Sequence, residues 1–203
     1  MRHSVAGVIL AGGLGTRLGH AKKAFIEIGG RTTLERLLAV YRPLFPEIRI
    51  AARDLDDFAN VDVPVALDRF DARSSLTGIH AGLSAVDAPH AFFCACDTPF
   101  LQPELVTRLL AQLRPDDDVV IPLKPDGFRE PLCAVYSTRC LPHIEAQLNR
   151  QDFKIIRFFP RVAVREVPLD ILAPGDPSPR SFFNVNRPED LEKAEALAEE
   201  LGV

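Results

Sequence analysis

A glycine-rich loop followed by basic side chains lies close to the start of the 203-residue chain. The apolar run Val5–Leu10 is typical of a buried strand, and it leads directly into Gly12 and Gly13. Glycine has no Cβ, so the backbone of such a loop can approach a ligand closely. Arg17 and Lys23 follow, and each side chain is positively charged at neutral pH. A strand, a glycine loop and spaced cations together favour the binding of a polyphosphate.

The two commonest glycine-rich phosphate motifs do not fit this loop. A Walker loop places Lys and Ser or Thr directly after its last glycine, whereas His20 and Ala21 follow Gly19 here. A dinucleotide-binding fingerprint needs a third glycine where this chain has Leu18. It also needs an acidic residue at the end of a second strand, about 20 residues further on, and the sequence has none there. Residue identity therefore excludes both motifs.

Asp97 comes shortly after the strongest buried-strand pattern of the chain, which covers residues 90–95. The carboxyl end of such a strand is where open α/β sheets bind their ligands. Mg²⁺ binds through one or two carboxylates together with phosphate oxygens and water, so one aspartate beside a polyphosphate loop is enough for a metal site. The structural alternative for Asp97 is an Asx turn or a cap for the helix that starts at Pro103.

Asp68 ends another predicted strand, residues 65–67, and is expected at the same edge of the sheet. Its alternative role is that of an exposed loop carboxylate. Gly78 follows a polar loop, starts a predicted helix and offers a second point where backbone can approach a ligand.

Two later segments carry further candidate residues, Glu130-Pro131 and Asn184-Val185-Asn186. Pro131 is also explained as a residue at the edge of a strand, and Asn186 as the N-cap of a final helix. Asn184 has no such structural explanation, which favours a role in binding.

The elements that must position these residues alternate between strands and helices as far as residue 121. The first helix is opened by a capping box, Thr32 with Glu35, and is expected to end before Pro43. Alternation of this kind indicates a parallel sheet covered by helices on both faces. The sequence therefore predicts an α/β fold with a mostly parallel central sheet and a small C-terminal lobe.

Four stretches of the chain resemble, in the same order, the nucleotidyltransferases of the molybdenum-cofactor guanylyltransferase family. The stretches are Leu10 to Lys23, Cys96-Asp97-Thr98-Pro99-Phe100, Glu130 to Tyr136 and Asn184 to Leu191. The resemblance runs from residue 8 to about residue 201. It implies a Rossmann-like nucleotidyltransferase fold and a single domain over residues 1–203. Residues 1–121 would form the nucleotide-binding part and residues 122–203 the acceptor-binding and closing part.

The resemblance also implies an activity and a set of site residues. It implies that the protein transfers GMP from GTP to the phosphate of molybdopterin bearing molybdenum, with Mg²⁺ as cofactor and diphosphate as by-product. Arg17, Lys23 and Asp97 would be catalytic, with Asp97 as the metal ligand. The residues implied in nucleotide binding are Leu10, Ala11, Gly12, Gly13, Lys23, Asp68, Gly78 and Asp97. Those implied in acceptor binding are Glu130, Pro131, Asn184 and Asn186. Molybdoenzyme apoproteins or their chaperones are the implied recipients of the product.

Two departures from the family pattern bear on the choice of nucleotide. Lys22 stands where the family usually has aspartate before its lysine, and Ala51-Ala52-Arg53 lacks an asparagine that the family often places there for the nucleotide. The pair Gly12-Gly13 favours guanine, because the cytidylyl branch of the family typically has alanine in place of Gly12. The alternatives are a cytidylyl- or sugar-nucleotide transferase on the same fold, or a non-catalytic nucleotide-binding module.

The charge and the length of the apolar runs exclude other classes. The net charge of −4 disfavours nonspecific nucleic-acid binding, which needs a broad positive surface. No apolar run approaches the roughly 18 residues of a membrane span, so we expect a cytoplasmic protein without a membrane partner. The four cysteines then stay reduced. Zinc binding by Cys94 and Cys96 is an alternative, but burial in the core is the better explanation.

Overall fold

The computed structural model describes residues 5–13, 22–174 and 179–203. The strands in this part of the chain are β1 (Val5–Leu10), β2 (Glu27–Ile28), β3 (Arg31–Thr32), β4 (Ile48–Ala52), β5 (Val65–Leu67), β6 (His90–Ala95), β7 (Val119–Leu123), β8 (Cys133–Ser137) and β9 (Val164–Pro168). The α-helices are α1 (Thr33–Leu44), α2 (Ser75–Ser84), α3 (Pro103–Leu110), α4 (Leu141–Leu148), α5 (Leu169–Leu172) and α6 (Pro188–Leu201).

The described strands form a seven-stranded sheet in the order β5-β4-β1-β6-β8-β7-β9, beside a two-stranded ribbon of β2 and β3. Strands β5, β4, β1 and β6 are parallel to one another, and β7 is parallel to β9. Strand β8 runs antiparallel between β6 and β7. The prediction of a mostly parallel central sheet is confirmed, and the reversed strand β8 is an addition to it.

Helices cover both faces of the sheet, as predicted. Successive side chains of β1 point to opposite faces, as in any strand. Val5 and Ile9 pack in one apolar cluster with residues of α1, α3 and α5. Ala6 and Val8 pack in a second cluster with residues of α2 and α4. Both faces of β1 are buried, which explains why its sequence is continuously apolar rather than alternating.

A third apolar cluster joins the end of the chain to the segment that follows the glycine loop. It contains Ile26 and Ile28 beside β2, Val185, and Ala194 and Ala198 of α6. The backbone N–H of Gly29 also donates to the Glu195 carboxylate at 3.0 Å. Residues 179–203, called the C-terminal lobe below, are therefore packed against the residues that lead out of the phosphate-type loop.

The predicted start of α1 agrees with the structure, and its predicted end does not. At its start Thr32 Oγ1 accepts from the Glu35 N–H at 3.1 Å, and Glu35 accepts from the Thr32 N–H at 2.8 Å, so the predicted capping box is confirmed. The expected end before Pro43 is wrong, because α1 includes Pro43 and ends at Leu44. Pro43 removes the hydrogen bond to the Ala39 carbonyl, but both residues are exposed and water can replace it. None of the helices in the described ranges is long and apolar enough to cross a membrane.

Candidate active site

A pocket of about 390 Å³ opens at the sheet edge where β1, β4, β5 and β6 end. Seven of the eight residues expected to bind the nucleotide line it: Leu10, Gly12, Gly13, Lys23, Asp68, Gly78 and Asp97. The eighth, Ala11, lines an adjoining pocket of about 360 Å³ that shares Gly12 and Gly13 with the first. The structure thus brings together residues that are as much as 87 positions apart in the sequence, from Leu10 to Asp97.

The two described residues with a predicted catalytic role are in direct contact. Lys23 Nζ donates to Asp97 Oδ2 at 2.8 Å, and it also donates to Asn186 Oδ1. The Lys23 and Asp97 side chains are only 15% and 17% exposed, so solvent screens this ion pair less than a surface pair. Lys23 starts a short 3-10 turn, Lys23–Phe25, that follows the glycine loop. Arg17, the third predicted catalytic residue, lies outside the described residues.

The backbone around Asp97 is held on two sides. The N–H of Cys96 donates to the Leu10 carbonyl at 2.9 Å, which continues the pairing of β6 with β1. The N–H of Val185 donates to the Asp97 carbonyl at 2.9 Å, which ties the C-terminal segment to the site. The alternative role of Asp97 as a helix cap is wrong, because Gln102 precedes α3 at the cap position. The position of the carboxylate is therefore determined by the sheet edge and by the C-terminal lobe together.

Asp97 has one carboxylate oxygen that the protein does not use. Its Oδ1 atom is buried and has no hydrogen-bond partner among the described residues. A buried, unpartnered anionic oxygen is costly unless a ligand satisfies it, and Mg²⁺ prefers oxygen ligands of this kind. No group of three or more His, Cys, Asp or Glu side chains within the described ranges is arranged to hold a metal. The residues present fit a magnesium ion whose other ligands are phosphate oxygens and water.

The cysteines do not fit a zinc site. Cys94, Cys96, Cys133 and Cys140 are all buried and unpaired by disulfide bonds. Burial raises the pKa of the Cys96 thiol to about 12, with the neighbouring Asp97 charge acting in the same direction. Such burial disfavours the thiolate that zinc binds, and within the described residues no group of three or more His, Cys, Asp or Glu side chains is arranged to hold a metal. The expectation that these cysteines belong to the core is confirmed.

Asp68 lies across the pocket at the end of β5. Its backbone N–H donates to the Ala52 carbonyl at 3.1 Å, which continues the pairing of β5 with β4. The Oδ1 atom is buried and without a partner within the described part of the chain. Burial raises the pKa of Asp68 to about 6, while Arg53 and His80 act in the opposite direction. The alternative of a fully exposed loop carboxylate is therefore wrong.

Gly12 and Gly78, two of the three glycines that line the pocket, differ in what a side chain would meet. A Cβ on Gly12 would lie 3.8 Å from Arg53 Cγ and 3.9 Å from Asp68 Oδ2, which are ordinary contact distances. Packing against the described residues therefore does not require glycine at position 12. A Cβ on Gly78 would lie 3.1 Å from Leu10 Cδ2, so Gly78 also serves the packing of α2 against β1.

Several residues of the pocket were not in the predicted set. Helix α2 starts at Ser75, three residues before the expected Gly78, because Ser74 Oγ accepts from the Thr77 N–H at 3.1 Å. The pocket residues that sequence reasoning missed are Ala51, Arg53, Arg73, Ser74, Ser75, Ala95, Cys96 and Leu132. The cap motif Ser74 to Thr77 was the available signal for the start of α2. Ser74 and Ser75 place a helix N-terminus, which favours anions, at this pocket.

The four expected acceptor-binding residues are separated in the structure. Asn186 contacts Lys23, and the N-cap alternative for it is wrong because α6 starts at Pro188 after Arg187. Glu130 and Pro131 precede Leu132, which lines the pocket, and Glu130 forms an ion pair with Lys124.

Asn184 is exposed and donates only within its own segment, to the Phe182 carbonyl at 3.1 Å. Of the four, Asn186 contacts a predicted catalytic residue directly, whereas Asn184 precedes Val185, whose N–H donates to the Asp97 carbonyl.

The mostly parallel sheet, the glycine loop at its carboxyl edge and the paired lysine and aspartate are features of a nucleotidyltransferase. The model of one family, described as the MobA-like NTP transferase domain, matches residues 7–164. The chain belongs to this family and is a nucleotidyltransferase.

Curated relatives match the chain over nearly its whole length. The molybdenum cofactor guanylyltransferase of Desulfosudis oleivorans is 40% identical over 193 residues, which cover 95% of each chain. The molybdenum cofactor guanylyltransferase of Vibrio cholerae is 31% identical over 192 residues, covering 94% of this chain and 91% of that one.

Solved structures agree on the fold. Molybdopterin-guanine dinucleotide biosynthesis protein A from Archaeoglobus fulgidus superimposes with a TM-score of 0.83, at 27% identity, over 97% of this chain and 100% of that one. The 2-C-methyl-D-erythritol 4-phosphate cytidylyltransferase of Thermus thermophilus also superimposes, with a TM-score of 0.68 at 22% identity, over 96% of this chain and 98% of that one. Transferases whose names specify different nucleotides thus share this fold, and the fold alone does not select the nucleotide.

Proposed function

We propose that the protein is a molybdenum cofactor guanylyltransferase, which transfers GMP from GTP to the phosphate of molybdopterin bearing molybdenum. The near full-length match to relatives of that name supports the guanylyltransferase role. The observation that carries the chemistry is the contact of Lys23 with Asp97 at the glycine-loop pocket, where Asp97 keeps one buried oxygen without a partner.

The proposed reaction is an in-line displacement at the α-phosphorus of GTP. A bond forms between a phosphate oxygen of the acceptor and the α-phosphorus, and the bond from the α-phosphorus to the bridging oxygen of the β-phosphate breaks. The acceptor phosphate is already ionised at neutral pH, so no general base is needed. The barrier is then lowered by positioning and by neutralising the charge that builds up on the phosphates.

Residues of this chain would supply both the positioning and the charge neutralisation. The backbone at Gly12 and Gly13 lines the pocket without side chains, so phosphate oxygens can approach its N–H groups. Lys23 Nζ, which contacts Asp97 and Asn186 in the pocket, would donate to a phosphate oxygen of the bound nucleotide. We assign to Arg17 the same kind of phosphate contact.

Asp97 Oδ1 and Oδ2 would hold the magnesium ion. The Lys23 ammonium group donates both to Asp97 Oδ2 and to Asn186 Oδ1, so the three side chains meet at this point. When bound, the ion supplies positive charge that offsets the phosphate charges. Asp97 thus positions the Lys23 ammonium group by accepting its hydrogen bond. The hydrogen bond from the Val185 N–H to the Asp97 carbonyl holds the Asp97 backbone in place. Glu130, Pro131 and Asn184 are proposed to contribute to the acceptor side, and molybdoenzyme apoproteins or their chaperones to receive the product.

The direct test is release of diphosphate by the purified full chain, with Mg²⁺, molybdopterin bearing molybdenum, and GTP, CTP or UTP in turn. We expect diphosphate with GTP only, and none when the acceptor is omitted. Release with CTP or UTP in preference to GTP would contradict the guanylyl assignment and support a cytidylyl- or sugar-nucleotide transferase. Binding of GTP without diphosphate release would support the non-catalytic module instead.

A further inference from the structure

Arg53 lies in the pocket and was not among the residues expected to bind the nucleotide. It directly follows β4, and its side chain lines both the main pocket and the adjoining one. Its Nη1 atom donates to the Asp71 carbonyl at 3.0 Å, which holds the guanidinium against the loop that follows β5. A guanidinium carries five N–H donors in a rigid fork, so this one bond leaves further donors available to a ligand.

Arg53 and Asp68 form one corner of the pocket. A Cβ built on Gly12 would lie 3.8 Å from Arg53 Cγ and 3.9 Å from Asp68 Oδ2, so both side chains flank the same glycine. The buried Oδ1 of Asp68 has no partner among the residues described, Arg53 included. The corner therefore presents a group that only donates hydrogen bonds next to a group that, when ionised, only accepts them.

The predicted catalytic residues Lys23 and Asp97 lie at the opposite edge of the pocket. Lys23 and Asp97 follow the glycine loop and β6, whereas Arg53 and Asp68 follow β4 and β5. Strands β5 and β4 are the outer pair at this side of the sheet, and β1 separates them from β6. A nucleotide whose phosphates lie at Lys23 and Asp97 would therefore place its base toward Arg53 and Asp68.

Among the common bases, guanine matches this corner best. Its O6 atom accepts hydrogen bonds, and the adjacent N1–H and N2–H groups offer two neighbouring donors to the two oxygens of one carboxylate. Cytosine, uracil and adenine each lack that pair of adjacent donors beside an acceptor. We infer that Arg53 is a specificity-determining residue that donates hydrogen bonds to O6 of a guanine base, beside Asp68. This inference rests on the proposed function, because it places a nucleotide in the same pocket.

The test is calorimetric titration of the full chain with Mg²⁺ and GTP, ITP or CTP, without acceptor so that no turnover occurs. ITP keeps O6 but lacks the N2 amine. Arg53→Ala should lower the affinity for GTP and for ITP by the same factor, about 10- to 100-fold, because both bases lose the O6 contact. The affinity for CTP should change far less, so the preference for GTP over CTP falls by about that factor.

Arg73 supplies the matched control, since it lines the same two pockets and carries the same charge. It does not act on Asp68, whose neighbouring charges are those of Arg53 and His80. Arg73→Ala should leave the ratio of GTP to CTP affinity unchanged, even if both affinities fall. Arg53→Lys keeps the positive charge but lacks the planar set of guanidinium donors. It should therefore lose part of the preference for GTP over CTP.

Two results would overturn the inference while leaving the proposed function intact. Arg53→Ala could lower GTP and CTP affinity equally, which would show a general attraction for phosphate, or it could change neither. A wild-type protein that binds CTP more tightly than GTP would overturn the proposed function and the inference together. Melting temperatures of each variant, measured alongside, show whether a lost affinity comes from a lost fold.

Discussion

Asp97 combines two environments in a single carboxylate. One oxygen accepts from Lys23, and the other is buried without a partner among the described residues. Such an arrangement is hard to explain by stability, because an unsatisfied buried oxygen costs free energy. Lys22, the neighbouring cation, instead pairs with Asp57 at the surface, and its side chain is 58% exposed. The adjacent lysines therefore have different environments, and each variant at the site has a matched control at the surface.

Asp97→Asn should separate chemistry from stability. The substitution keeps the shape and leaves an oxygen for Lys23, but it removes the charge that would hold Mg²⁺. We expect Mg²⁺-dependent diphosphate release to fall on the order of 10³-fold, with a small decrease in melting temperature. Asp57→Asn, the control, should retain its rate. A rate loss no larger than the loss of folded protein would show that Asp97 is structural.

Lys23→Ala should lower the rate of diphosphate release strongly, because the phosphates lose a cation held inside the pocket. Lys22→Ala removes the same charge from the exposed neighbour and should change the rate little. Steady-state assays of both variants at one ionic strength provide the comparison. Equal and small effects would mean that the two lysines form an ordinary basic surface.

The pKa of Asp68 gives a prediction for pH. Burial raises that pKa to about 6, so the carboxylate becomes protonated as the pH falls through 6. If the ionised group accepts from the base, GTP affinity should decrease below about pH 6, measured by titration from pH 5 to 8. Asp68→Asn should lose this pH dependence between pH 5 and 7.

The pKa of Asp68 also gives a prediction for the stability of the fold. Ionisation of Asp68 is expected to favour GTP binding but to destabilise the folded state. A carboxyl whose pKa is higher in the folded than in the unfolded state destabilises the fold as the pH rises from about 4 to 6. Asp68→Asn should therefore raise the melting temperature at pH 8 and not at pH 4. A variant that is less stable at pH 8 would contradict the assigned pKa shift.

Helix α2 shows how an element positions the site. Its N-terminus, at Ser74 and Ser75, lines the pocket, and two of its glycines allow it to lie close to the sheet. At Gly82 a Cβ would lie 2.6 Å from Val8 Cγ1 and 2.7 Å from Phe93 Cε1, which is closer than real atoms approach. The height of the helix N-terminus above the sheet edge therefore depends on glycine at that point.

Gly82→Ala should lower the free energy of unfolding by about 1–3 kcal/mol through overpacking, despite the better helix propensity of alanine. Gly78→Ala is the milder control, because its Cβ would lie 3.1 Å from the Leu10 side chain and 4.0 Å from Ala51 Cβ. Urea unfolding followed by circular dichroism gives both values. A Gly82 variant as stable as the wild type would mean that α2 can move away from β1 and β6 at no cost.

The whole molecule does not divide cleanly at residue 121. Strand β7 (Val119–Leu123) itself spans that boundary, and β8, from the second part of the chain, lies between β6 and β7. The C-terminal lobe reaches back to Asp97 through Val185 and to Lys23 through Asn186. We infer that residues 1–121 and residues 122–203 form one cooperative unit.

The full chain should therefore unfold in a single thermal transition, with equal calorimetric and van't Hoff enthalpies. A fragment of residues 1–121 should show no cooperative transition, because β6 would lose its partner β8 and the apolar contacts of Tyr136. Scanning calorimetry of both proteins provides the measurement. A fragment that melts cooperatively and binds GTP would instead establish two separable domains.

The amino-acid sequence by itself determined the features that depend on neighbouring residues. The apolar strands β1 and β6, the capping box at Thr32 and the glycine loop are all local patterns, since periodicity, caps and backbone freedom act over a few residues. It also indicated Lys23 and Asp97 as candidates for function, because a cation after a glycine loop and a carboxylate at a strand end suit a polyphosphate with Mg²⁺, and the family resemblance favoured that role.

Only the tertiary structure decided which of these residues meet. The reversed direction of β8, the contact of Asn186 with Lys23 and the position of Arg53 beside Asp68 all join segments distant in the sequence. Such contacts depend on the order of strands in the sheet and on the packing of α6, which no short stretch encodes. The helix that runs past Pro43 has the same cause, because α1 is held by its buried face and one lost hydrogen bond at an exposed end does not stop it.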